Sequence, residues 1–234
     1  MHFQHCITSA ILLAASCSSL TFAEENHQSP FIEPSEISFE TRAFWIRHAN
    51  DALRYLTPSP CPFEAFGTVI VNHSSTPPDS PHGAMVCIGA NAIVTGNPTL
   101  HGEIAAINNC SAVLQSDPYH LSAQEALAAF ADLSLYTNAE PCAMCATAIR
   151  WAGFKELIYG TGEERLESLG WQTVGIRSRE VLERSRDLSS RTRSVGSVLS
   201  NETDPYFAWQ FNPMAPCPQG CLREGHVCFG QETG

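Results

Sequence analysis

The chain has 234 residues, 44% of them hydrophobic and 16% charged, and its 24 Asp and Glu against 13 Lys and Arg give a formal charge of −11. So much apolar material with so little charge excludes disorder along the whole length. The negative balance also excludes long nucleic acids as partners, because counterion release needs clustered Lys and Arg.

In chain order, the apolar stretch Cys6 to Cys17 followed by Thr21-Phe22-Ala23 reads as a secretory signal over 1–23, cleaved near Ala23. Secretion into an extracellular or vacuolar space follows. No other apolar run approaches the about 18 residues needed to cross a bilayer, so no membrane partner is expected. A polar leader with two prolines runs over 24–37. From Phe39 the residues Trp45, Ile46, Ala49, Ala52, Leu53 and Leu56 fall at helical spacing, and Thr57-Pro58-Ser59-Pro60 ends that helix. Phe66 to Val71 and Ala84 to Gly89 are strands joined by the turn-rich segment Asn72 to His82, and they form a hairpin. Residues 101–115 read as helix, and a capping box at Ser122 and Glu125 opens a second helix to about Phe130. The strand Leu133 to Thr137, the helix from Pro141 to Gly153 and the strand Leu157 to Tyr159 make a strand–helix–strand unit with parallel pairing. Two short helical segments are expected over 163–188. From Ser189 to Asn201 no periodicity is visible, and the Pro-, Gly- and Cys-rich tail from Pro213 needs cross-links to hold a structure.

Two short signals carry chemistry: His101-Gly102-Glu103 at one helix start and Pro141-Cys142-Ala143-Met144-Cys145 at another. The Cys-x-x-Cys alone could be a disulfide, a redox pair or half of a metal site. At i and i+3 both sulfurs face one side of a helix, and the positive helix end favours thiolates. With His101 they make three ligands for Zn2+, leaving a fourth position for water, the pattern of a catalytic zinc. Glu103, two residues past the histidine, cannot share its helical face, so the pair belongs where the chain turns into the helix, a turn that Gly102 eases. There the carboxylate can shuttle a proton from water to a ring nitrogen and then to departing ammonia.

These motifs, with Phe66 to Val71 and Pro98 to Ile104 around them, make residues 62–162 resemble the cytidine and deoxycytidylate deaminase superfamily. The resemblance implies an α/β fold of three layers, α/β/α, with a mixed five-stranded sheet, a zinc-dependent hydrolytic deaminase, and usually a homodimer. It assigns His101, Cys142 and Cys145 to the metal, Glu103 to catalysis and Asn91 to the substrate. Ala148-Ile149-Arg150-Trp151-Ala152 is similar to guanine deaminases, whereas Thr99 to Ile104 with Asn109-Cys110 is similar to fungal cytosine deaminase. A small nucleobase or nucleoside is therefore the expected substrate, a purine slightly ahead of cytosine or cytidine. A non-catalytic secreted binding protein that works through its tail is a different reading, and Glu103 weighs against it, since a structural zinc has no use for that acid. The deaminase domain is expected over 38–190 and a Cys-rich extension over 191–234. The cysteines left over, Cys61, Cys87, Cys110, Cys217, Cys221 and Cys228, are an even number suited to disulfides that staple the tail to the core, against a second metal site from Cys217, Cys221, His226 and Cys228. Sequons at Asn72 and Asn201 fall in expected loops, and one at Asn109 inside a helix. His48, His73, His82 and His120 read as ordinary surface or core residues.

Overall fold

Alternation along the central strands decides the architecture. In β1 (Gly67–Asn72), β3 (Leu133–Ala139) and β4 (Glu156–Thr161), Val69, Val71, Tyr136 and Ile158 point to one face while Ile70, Leu135 and Leu157 point to the other, all fully buried. A sheet apolar on both faces needs a layer on each. A computed structural model describes residues 37–74 and 80–230, and the signal expected over 1–23 and nearly all of the leader expected over 24–37 lie outside them.

One layer is α1 (Phe39–Leu56), capped by Ser38, whose hydroxyl accepts from Thr41 N–H at 3.2 Å. Its Trp45, Ile46, Ala49 and Ala52 stripe covers Val69, Val71, Tyr136 and Ile158. The opposite layer combines α2 (Gly102–Leu114), α3 (Ala123–Ala129) and α4 (Ala143–Ala152), whose Ala106, Cys110, Leu114, Ala126 and Ile149 cover Ile70, Leu135 and Leu157. The expected capping box is formed, Ser122 and Glu125 exchanging their hydrogen bonds.

The sheet order is β2-β1-β3-β4-β5, with β2 at Ala84–Ala90 and β5 at Arg193–Val195. β2 and β3 run antiparallel to β1, and β3, β4 and β5 are parallel. This is the mixed five-stranded sheet and α/β/α layering that the resemblance implied. α5 (Glu163–Leu169) and α6 (Ser178–Arg184) are the two short helices expected over 163–188.

The sheet continues past the domain boundary expected at residue 190: the fifth strand lies beyond it, and α7 (Ser200–Ala208) buries Phe207 completely. β5 is held from afar. Arg150, in the last turn of α4, is 3% exposed and donates to Ser185 O and Ser190 O at 2.8 Å each. Glu156 pairs with Arg193 at 3.3 Å and Arg42 at 3.7 Å.

The tail forms a hairpin of β6 (Cys221–Glu224) and β7 (Val227–Gly230). Disulfides Cys61–Cys221 and Cys217–Cys228 fasten it, so the expected staple exists and the alternative second metal site does not. The third, Cys87–Cys110, ties β2 to α2. Asn72 and Asn201 are not in loops: Asn72 ends β1, and Asn201 is exposed in the first turn of α7. Asn109 is engaged, its Oδ1 accepting from Ile88 N–H at 3.0 Å. The histidines of the hairpin have partners as well: His73 lies 2.9 Å from the Tyr136 hydroxyl and His82 lies 3.0 Å from Thr41 Oγ1.

Candidate metal and catalytic site

Two helix N-termini meet beyond the C-terminal end of β3, where open α/β sheets place their sites. His101 is the N-cap of α2 and Cys142 the N-cap of α4, both with extended backbone, and Cys145 follows in the first turn of α4. Cys142 therefore lies at the helix mouth rather than on the helical face expected from i, i+3 spacing, and both thiols still converge. Gly102 has a different role from the expected one. It is helical, and a Cβ there would lie 2.6 Å from Phe66 O, so glycine allows α2 to close onto the start of β1 rather than easing a turn.

The ligand atoms of His101, Cys142 and Cys145 lie within 4.8 Å of one another, and His101 Nδ1 is 3.6 Å from Cys142 Sγ. A tetrahedral ion about 2.3 Å from sulfur and about 2.0–2.1 Å from nitrogen sets those two atoms about 3.5–3.6 Å apart, so the spacing fits zinc. The donor chemistry fits too. Among the described cysteines only Cys142 and Cys145 are free, while the other six are paired.

Charge in the cluster is unevenly shared. The hydrogen bond between the two thiols pushes Cys142 down to about 4, a neighbouring His101 contact adding to this, and pushes Cys145 up, with burial in the same direction. His101 is raised, first by its contact with Cys142. Glu103 is 3% exposed, and burial, then the Cys142 charge, push its carboxyl up to about 7. A carboxyl near neutrality can both accept and return a proton at ordinary pH.

Asn91 follows β2 on the same side, its N–H donating to Phe66 O at 2.8 Å. Its Nδ2 faces Glu64, and its Oδ1 is buried with no hydrogen-bond partner among the described residues. Arg150, noted for its guanine deaminase-like setting, does not join this site and clamps the approach to β5 instead.

Sequence reasoning missed Glu140, just before Pro141. Its buried carboxylate accepts from Glu163 N–H at 2.9 Å, Ser178 N–H at 3.1 Å and the Ser178 hydroxyl at 2.7 Å, tying the starts of α5 and α6 to the loop that carries Cys142. Its adjacency to Pro-Cys was the one available signal. An aromatic cluster was also missed: Trp171 packs edge-on to Phe66 at 5.1 Å and to Phe211 at 5.2 Å, with Phe63 at 6.3 Å.

The sequence family described as the cytidine and deoxycytidylate deaminase zinc-binding region matches residues 39–161. Guanine deaminase of Bacillus subtilis is 31% identical over 147 residues, 62% of this chain and 79% of that protein. A probable cytosine deaminase of Schizosaccharomyces pombe is 26% identical over 122 residues, 50% of this chain and 62% of that protein. A solved structure described as a complex with 2,6-diaminopurine shares the fold with a TM-score of 0.52 at 20% identity, over 77% of this chain and 84% of that one. The family match runs through α1 to the end of β4 and encloses His101, Glu103, Cys142 and Cys145. With more than half of its length inside that match, the chain belongs to the cytidine and deoxycytidylate deaminase family.

Proposed function

We propose that the protein is a secreted, zinc-dependent hydrolase that deaminates a small free base, guanine first among them, and releases ammonia. The observation that carries the reading is the buried Glu103 carboxyl, in the first turn of the helix whose N-cap histidine faces two free thiols.

His101 and the sulfurs of Cys142 and Cys145 would hold the zinc, which when bound supplies Lewis acidity that lowers the pKa of water towards neutrality. The chain's own residues do the rest. Glu103 takes a proton as water adds to the amino-bearing ring carbon and delivers it to the adjacent ring nitrogen; it then takes the second proton from the new hydroxyl and passes it to the amino group, so that the carbonyl forms as the C–N bond breaks and ammonia leaves. Its elevated pKa matches both halves of that cycle. Asn91 would hold the base edge.

The guanine deaminase relative supports a purine. The three disulfides support an oxidising compartment, in keeping with a cleaved signal over 1–23. Purified protein is assayed for ammonia with guanine, adenine, cytosine and their nucleosides. Release from guanine is expected, release from cytosine alone would move the assignment to a pyrimidine, and release from none would overturn it.

A further inference from the structure

Shape does not tell the two ends of an asparagine amide apart; its partners do. Asn91 Nδ2 lies 3.1 Å from Glu64 Oε2 and 3.4 Å from Glu64 O. Both partners are acceptors, so the amide must turn its NH2 to Glu64. The reverse orientation would set three oxygens against one another. The consequence falls on the other end: Asn91 Oδ1 faces away, buried and without a partner among the described residues.

Glu64 is held in a conformation that does not suit it. Its φ is 56°, in the left-handed region that glycine enters freely and a longer side chain does not. Neighbours over-determine it. Gln210 Oε1 accepts Glu64 N–H at 2.9 Å, Asn138 Nδ2 donates to Ala65 O at 2.8 Å, and Cys61, three residues upstream, is bonded to Cys221. Two of these ties come from beyond the family-matched residues 39–161. Strain kept beside a site by so many restraints points to a use for the side chain.

We propose that Glu64 is a positioning residue: its carboxylate locks the Asn91 amide so that the pocket offers Oδ1, a hydrogen-bond acceptor, to an N–H or amino edge of the base. The C-terminal segment, through Gln210 and Cys221, holds Glu64 in place. Selectivity for a donor-bearing edge is thereby set by a residue that need not touch the base. This rests on the reading of Asn91 as a base contact, and the test separates the two.

Three Glu64 variants and one control are compared, with guanine as substrate and with the side-chain NH2 resonance of Asn91, identified as the one missing in Asn91→Asp, as a readout independent of turnover. Glu64→Gly removes the carboxylate and the strained side chain together. It is expected to keep or raise Tm, to raise KM about tenfold with kcat within about threefold, and to shift the Asn91 resonance with loss of exchange protection. Glu64→Leu should reproduce the KM and resonance changes. Glu64→Gln keeps an acceptor and should stay within about threefold of wild type in KM. An unmoved Asn91 resonance in Glu64→Gly, or a fall in kcat at constant KM, overturns the proposal whether or not guanine is the best substrate. Asn91→Ala is the control: if it leaves KM unchanged while the resonance responds to Glu64, the base-contact reading fails and the lock itself stands.

Discussion

The site end of the body and the C-terminal hairpin are held by different forces. Around the site, Val69, Ile70, Leu135, Ile149, Leu157 and Ile158 are all 0% exposed, and the functional side chains hang from the ends of elements that this burial fixes. In the hairpin, Leu222 is 49% exposed, Val227 55% and Phe229 38%, and only a small cluster of Cys61, Trp209 and Cys228 is buried. One region is kept by apolar area and the other by covalent bonds. The lesson is a division of labour: burial sets the chemistry, and cross-links bring a late segment to bear on the loop beside it.

The sharpest break in this comparison is at Glu103. Glu103→Ala should lower ammonia release by about a hundred- to ten-thousandfold while zinc content and Tm stay close to wild type, read by metal analysis and calorimetry. Removal of metal with a chelator should abolish turnover and lower Tm, and added zinc should restore both. Cys145→Ser should give the same loss without rescue. If the hairpin only supports selectivity, Cys61→Ser with Cys221→Ser should raise KM by about threefold to tenfold with kcat nearly unchanged. The same pair of changes should expose the segment around residues 211–230 to limited proteolysis before the body. A large fall in kcat there would erase the division.

The mildest test is the pH dependence of stability in chelated protein. Burial and then the Cys142 charge raise the Glu103 carboxyl from its usual 4.5 to about 7 in the folded state. A raised folded pKa gives stability that is complete below about 4.5 and fades as pH climbs through about 7. Chelated wild type should therefore lose on the order of 2 kcal/mol between pH 5 and pH 8 beyond its other titrations, and Glu103→Gln should flatten that slope in urea titrations.

Much of the body was legible because it is periodic. The stripe of α1, the alternation in β1 and the Ser122 capping box are local signals, and all three became elements. The His-x-Glu and Cys-x-x-Cys spacings were legible because one helix start can carry each. What escaped was non-local. β5 has three residues, all half-buried, and exists through Arg150 and Glu156, some forty residues earlier in the chain. Glu64 matters only through Asn91 and Gln210, 27 and 146 positions away. Gly102 was legible as glycine, but the reason for it, the Phe66 carbonyl, is a tertiary neighbour.

The Cys87–Cys110 bond crosses from β2 to the middle of α2, two helical turns beyond Glu103. A helix fastened there cannot screw or slide along its own axis. The acid two turns earlier is thereby kept in register with His101, Cys142 and Cys145 by a covalent link as well as by packing.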